Sequence, residues 1–267
     1  FGDVNSTIAC SLAAAKLGVP ISHVESGLRS FDWDMPEEIN RVVTDHLSTK
    51  LFSPTRQASK NLEKEGVSHK KIKQVGDVMY DVALTYGNKN KDHESILLSS
   101  LKLEKKNYIL VTVHRAENTD DPTRLQTIVQ GLSQISKKTT LVWPVHPRTK
   151  QALKTHDLSK RLSNKIQLIE PQSYLKMLFL EKQAAAIITD SGGVQKEAYF
   201  HQVPCITLRD ETEWTELVTE GWNHLTPPNN PNQIEQTVLK ALTTKGSNKA
   251  LYGEGHAAEL IAAELAS

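Results

Sequence analysis

Cysteine is scarce in this 267-residue chain, which holds two. Cys10 is isolated in a helical pattern and Cys205 in a strand-like run, so both read as buried thiols, with no disulfide framework or thiolate metal centre indicated. Charge of one sign is missing too: 32 Lys and Arg against 31 Asp and Glu leave a net charge of +1. That balance gives no footing for nucleic acid or another polyanion. No apolar run has membrane-spanning length and no signal peptide is visible, which makes the cytoplasm the expected setting. There is no Walker-type Gly-Lys-Ser/Thr loop, no Gly-x-Gly-x-x-Gly and no His/Cys cluster with metal spacing, so the expected chemistry uses neither a metal nor another cofactor. An initiating methionine is also absent. The chain opens at Phe1-Gly2-Asp3, already reading as a strand end that meets a helix, and the expectation is a start in mid-domain.

What is present is enough for a substantial core. Hydrophobic residues make up 38% and charged residues 24%, consistent with one large or two medium domains. Short apolar runs at Val19 to Val24, Leu51 to Ser53, Ile109 to Val113, Thr140 to Val145, Ile166 to Ile169, Ala184 to Thr189 and Val203 to Leu208 alternate with helical patterns. That alternation predicts an α/β fold with parallel sheets. A helix is suggested over Tyr80 to Tyr86, followed by a polar, Lys-rich boundary region from Gly87 to Asn107. The Ala-rich end from Leu251 to Ser267 places Leu260, Ile261 and Leu265 at helical spacing.

The most informative stretch is Thr189-Asp190-Ser191-Gly192-Gly193, where an apolar run stops and a helical pattern begins. Two glycines let the backbone approach a ligand, the Ser191 hydroxyl can donate to an anionic oxygen, and the helix start offers unpaired N–H groups. A phosphate site follows from these three features.

Acidic residues collect at strand-to-helix junctions, where open parallel sheets bind their ligands. Asp3 precedes a helix running to about Lys16 and closed by Gly18; the alternative is that Asp3 or Ser6 caps that helix. Glu25 follows the Val19 to Val24 run, with a surface turn acid paired to Arg29 as the alternative. Glu37 follows Pro36 at the start of a helix whose apolar stripe is Ile39, Val42, Val43, His46 and Leu47. Glu37 and Arg41 then share another face, unless Glu37 only complements the helix dipole. His114 ends the Ile109 to Val113 strand beside Arg115, a donor and a fixed cation suited to a pyrophosphate. A satisfied core histidine is the other reading of His114, and the two prolines around His146 favour a structural role there. Glu197 lies in the helix after the glycine pair, within reach of ribose hydroxyls. Arg209 and Glu213 flank a further strand end, and a solvated ion pair competes for them.

Taken in order, Gly2-Asp3, His23-Val24-Glu25-Ser26-Gly27-Leu28-Arg29, Pro36-Glu37-Glu38-Ile39-Asn40-Arg41, His114-Arg115-Ala116-Glu117-Asn118, His146-Pro147 and Thr189 to Glu197 resemble the motifs of the non-hydrolysing UDP-N-acetylglucosamine 2-epimerases. The resemblance spans essentially the whole chain. Family members carry an additional N-terminal stretch with a basic phosphate-contacting loop, so it casts this chain as an N-terminally truncated member. It implies two Rossmann-like domains of the nucleotide-sugar (GT-B-like) type facing one another across a cleft. The second half of the first, incomplete one is residues 1–77 with 253–267, and the UDP-binding one is residues 78–252.

By the same resemblance Ser191, Gly192 and Gly193 hold the UDP diphosphate, Glu197 the ribose, and the Gln172 to Met177 segment lies near the uracil, with Met177 where some relatives place an aromatic. Arg41, Arg209 and Glu213 join the substrate-binding set. Asp3, Glu25 and Glu37 match the acid/base carboxylates and His114 the histidine near the diphosphate. The implied reaction inverts carbon 2 of UDP-N-acetylglucosamine by eliminating UDP to a bound 2-acetamidoglucal and adding it back after protonation from the opposite face. Arg115 and His146 match contacts to a second UDP-sugar that acts as an activator, and a homodimer is implied for the full-length protein. The alternatives are an epimerase of a related UDP-2,3-diacetamido sugar, a hydrolysing epimerase, a glycosyltransferase, and a UDP-sugar-binding fragment without catalysis.

Overall fold

The computed structural model describes residues 1–89, 91–247 and 249–266; Asn90, Asn248 and Ser267 lie outside the described residues. The chain divides into two units, Phe1–Leu84 with Lys249–Ser267, and Thr85–Asn248. All strand pairing described within them is parallel.

The first unit holds β1 (Ser22–Val24), β2 (Lys50–Ser53) and β3 (Ile72–Gln74) in the order β1-β2-β3. Phe52, Val75 and Ile261 form a small core in which the C-terminal helix Ala257–Ala266 takes part, while Leu260 and Leu265 are exposed. The strand β3 has no counterpart among the apolar runs, because two of its three residues, Lys73 and Gln74, are polar and exposed.

The second unit holds β4 (Tyr108–Thr112), β5 (Thr140–Pro144), β6 (Ile166–Ile169), β7 (Ala186–Thr189), β8 (Cys205–Thr207) and β9 (Asn223–Leu225). Their order is β6-β5-β4-β7-β8-β9. Successive side chains go to opposite faces: Ile109, Val111, Leu141, Trp143 and Ile188 enter one core, Tyr108, Leu110, Val142 and Ile187 the other. Burial on both faces is why these strands read as continuous apolar runs. The first core is closed by the helices Pro122–Ile135 and Pro231–Ala241, each started by a side-chain cap, Asp121 and Asn230, with proline in the first turn. The second is closed by helices that contribute Leu97, Leu98, Phe179, Leu180 and Ala198.

Some expectations are corrected. The boundary region after Gly87 contains a helix, Lys91–Ser100, which buries Leu97 and Leu98. Cys10 is exposed, since the helix Asn5–Lys16 buries little but Ser11; Cys205 is buried, and burial pushes its thiol up to about 12.

Candidate active site

In the second unit β5 and β6 lie on one side of β4, and β7, β8 and β9 on the other, so the chain reverses its direction of travel across the sheet between β4 and β7. Ligands of open α/β sheets bind outside the strand ends at such a switch point. Here the two strands end together: Thr112 pairs with Thr189 in register and their hydroxyls are 2.6 Å apart. His114 follows one strand and Ser191 the other.

Asp190 joins the two. It is fully buried, and its carboxylate accepts from the backbone N–H of His114 at 3.0 and 3.1 Å, from that of Arg115 at 3.0 Å and from Asn118 Nδ2 at 3.1 Å. His114 Nδ1 lies 3.3 Å from Asp190 Oδ1. Neither Asp190 nor Asn118 was among the sequence candidates, although Asp190 occupies a strand end, the signal that selected the others.

Ser191 is the N-cap of the helix Gly192–Phe200, but its side chain makes no capping bond. The turn is held instead by Gln195, fully buried, whose Nε2 donates to the Ser191 carbonyl while its Oε1 accepts from Thr212 Oγ1 and Asn223 Nδ2. Arg209 and Glu213 do pair, at 2.9 Å, yet the pair is largely withdrawn from solvent, and a side chain at Gly192 would force the Glu213 carboxylate to shift. Glu197 is buried on the same helix. Burial and the Glu197 charge push the fully buried Glu181 carboxyl well above its usual range.

A cleft of about 240 Å³ opens beside the strand ends. His114, His146, Gln172, Met177 and Ser191 line it together with Thr112, so residues from four separate stretches of sequence converge there. The His114 and His146 rings are 6.0 Å apart. His146 also has the structural role its prolines suggested, since its Nδ1 accepts from the Arg148 N–H at the start of the helix Pro147–Thr155.

The first unit gathers the other candidates. Asp3 is not a cap: the helix Asn5–Lys16 has Val4 at its N-cap without a side-chain bond, and Asp3 Oδ2 accepts from Arg41 Nη2 at 2.7 Å. Nor does Arg29 answer Glu25. Its guanidinium, nearly all buried, is bonded to Asp45 and Glu65. Burial opposes that charge, but the Glu65 hydrogen bond and the nearby Asp45 outweigh it and hold Arg29 above its ordinary value. Glu25 is half-buried with φ +70°, a left-handed backbone that costs a non-glycine residue energy and concentrates at functional positions. His23 Nε2 is 3.0 Å from the Gly2 carbonyl, which brings the segments carrying Asp3 and Glu25 side by side.

The helix Pro36–Leu47 departs from its predicted apolar stripe. It buries Glu38, Asn40, Arg41, Thr44 and Asp45, whereas Ile39 and His46 are exposed. Arg41 pairs with Glu38 and Asp3, and Glu37 is exposed on the same helix.

Comparison with known proteins settles the family. The UDP-N-acetylglucosamine 2-epimerase profile matches residues 1–266. The chain belongs to the UDP-N-acetylglucosamine 2-epimerase family. It is 46% identical over 269 residues to the UDP-2,3-diacetamido-2,3-dideoxy-D-glucuronate 2-epimerase of Pseudomonas aeruginosa, covering 100% of this chain and 73% of that protein. It is 44% identical over 266 residues to the UDP-N-acetylglucosamine 2-epimerase of Methanocaldococcus jannaschii, covering 97% and 72%. The crystal structure of the M. jannaschii UDP-GlcNAc 2-epimerase in complex with UDP-GlcNAc and UDP superposes with a TM-score of 0.89 at 43% identity, over 99% of this chain and 74% of that one. The fold class is thus that of the GT-B-like epimerases, as the sequence motifs implied. No described helix of this family member is long and apolar enough to cross a membrane.

Proposed function

We propose that the protein interconverts UDP-N-acetylglucosamine and UDP-N-acetylmannosamine by eliminating UDP and adding it back. The observation that carries this reading is the cleft at the β4 and β7 ends, where His114, His146, Gln172, Met177 and Ser191 meet. Ser191, Gly192 and Gly193 receive the diphosphate on the helix N-terminus, Glu197 holds the ribose, and Gln172 with Met177 borders the uracil.

In the forward direction a base removes the proton at carbon 2, its electron pair forms the carbon 1–carbon 2 double bond, and the bond from carbon 1 to the diphosphate oxygen breaks. His114 stabilises the departing UDP, as a donor placed where charge develops. Protonation of carbon 2 on the opposite face and return of the diphosphate oxygen to carbon 1 complete the inversion. Asp3, Glu25 and Glu37 supply the base and the acid; the Arg41 bond to Asp3 orients that carboxylate, and the left-handed backbone at Glu25 sets the direction of its side chain.

Two finer points rest on the same site. The related UDP-2,3-diacetamido sugar is a second candidate substrate, favoured by the 46% identity to the Pseudomonas enzyme. Arg115 and His146, beside His114 in the chain or in the cleft, are the proposed contacts to a second UDP-sugar acting as activator, and hyperbolic kinetics unchanged by His146→Ala would exclude that role.

Incubation with UDP-N-acetylglucosamine in heavy water tests the reading. Deuterium is expected at carbon 2 of both epimers, with UDP retained in the product. Absence of exchange with both this sugar and the diacetamido sugar overturns it, and release of free N-acetylmannosamine would indicate a hydrolysing enzyme.

A further inference from the structure

Asp190 is spent on the loop that carries His114. Its carboxylate takes the N–H groups of His114 and Arg115 and the side-chain amide of Asn118, and its own N–H donates to the Thr112 carbonyl at 3.1 Å. Asn118 Nδ2 also reaches the Leu208 carbonyl at 3.0 Å. The loop after β4 is therefore tied to the end of β7 through one buried acid, and to the end of β8 through Asn118. A fold that needed only a filled position could use an apolar residue here; a carboxylate without exposure is worth keeping where its fixed acceptors are used.

The ring of His114 lies within reach of the same group, with Nδ1 3.3 Å from Oδ1. The imidazole of His146 is centred 6.0 Å from that ring. An imidazole with one nitrogen against a carboxylate keeps its proton on that side and presents the other nitrogen in a fixed direction.

We propose that Asp190 is the positioning residue for His114: it holds the backbone of residues 114 and 115 and keeps a proton on His114 Nδ1, so that Nε2 is the atom presented to the departing diphosphate. Asp190 directly precedes Ser191, so the residue that positions the departure group is the chain neighbour of the one proposed to bind the diphosphate. The role of His114 in this statement rests on the proposed epimerase reaction; the tautomer does not.

Two measurements test it. In the wild-type protein, ¹⁵N-resolved imidazole spectra, with His114 assigned from the signal lost in His114→Ala, should show Nδ1 protonated; a bare Nδ1 with the proton on Nε2 overturns the proposal, whatever the enzyme's activity. In steady-state kinetics, Asp190→Asn should lower kcat by about 100-fold while KM changes by less than about threefold. The same substitution made in His114→Ala should change kcat by less than about threefold, since the residue it acts through is gone. An equal loss in both backgrounds would mean that Asp190 acts apart from His114. If the protein epimerises neither UDP-sugar, the proposed function fails while the spectrum still decides the tautomer, and if Asp190→Asn does not fold, the wild-type spectrum alone decides.

Discussion

A methyl group built on Gly192 would lie 2.5 Å from Glu213 Oε1, a carboxylate already held by Arg209, whereas one built on Gly193 meets nothing within 4 Å. Gly193 also lies in the helix Gly192–Phe200 and has no left-handed backbone. Folding therefore gives no reason for glycine at 193, and helix propensity argues against it. The proposed diphosphate site supplies one, a ligand that needs the space. Gly193→Ala should raise stability by about 0.5 to 1 kcal/mol and weaken UDP binding at least about tenfold, read by denaturant unfolding and by calorimetry on the same preparation. Unchanged UDP affinity would remove the turn from the diphosphate site.

Among the elements, the helix Pro36–Leu47 shows how far a periodic pattern can mislead. Its apolar residues are spaced for a core-facing stripe, but the side it buries is built from two acids, Asn40, Thr44 and Arg41. Asp45 explains the choice: its carboxylate takes His23 Nδ1 at 2.6 Å, the Gly27 N–H at 3.0 Å and Arg29 Nη1 at 2.8 Å, tying β1 and the loop after it to this helix. Gly27 completes the junction, with φ +81° and the Ala58 carbonyl only 2.3 Å from where a Cβ would stand. Asp45→Ala leaves Arg29 and His23 buried beside an empty position. It should destabilise the first unit by about 3 to 5 kcal/mol, measured by chemical denaturation. A loss below about 1 kcal/mol would show that the network is not what holds Glu25 at the strand end.

At the scale of the whole molecule, pH reports on buried groups in the second unit. Burial, followed by the charges of Lys182 and Lys106, lowers His201 from 6.5 to about 4. As pH falls from 6.5 to 4 the unfolded chain takes up a proton that the folded chain refuses, so stability is lost across that window, by about 3 kcal/mol at most. Glu181 works in the opposite sense. Its raised carboxyl keeps a proton that the unfolded chain releases above about 4.5, so stability falls as pH rises from there toward the folded-state value. Denaturation at pH 4.5 and pH 7 should show His201→Gln flattening the acid-side loss and Glu181→Gln raising stability at neutral pH. Failure of both to change the pH dependence would assign it to other groups.

The division between what sequence and structure each reveal runs along the same lines. Seven of the nine described strands were visible as apolar runs, the inner ones because two-sided burial demands continuous hydrophobicity, and the turn at Ser191 was visible because glycine pairs at strand ends are chemically distinctive. The strands β3 and β9 carry polar residues at an edge of each sheet and gave no such signal. The candidate residues were legible through local rules, strand end and helix start, yet those rules assign no partners. That Asp3 answers Arg41, that Arg29 answers Asp45 and Glu65, and that Asp190 holds the His114 loop depend on groups 16 to 76 positions apart in sequence. By itself the sequence determined the fold class, the motifs and the family they resemble, because periodicity and residue chemistry are local properties of the chain. Only the tertiary structure decided which acids pair with which cations and which side chains share the cleft, because burial and hydrogen-bond partnership arise when distant segments are packed against one another.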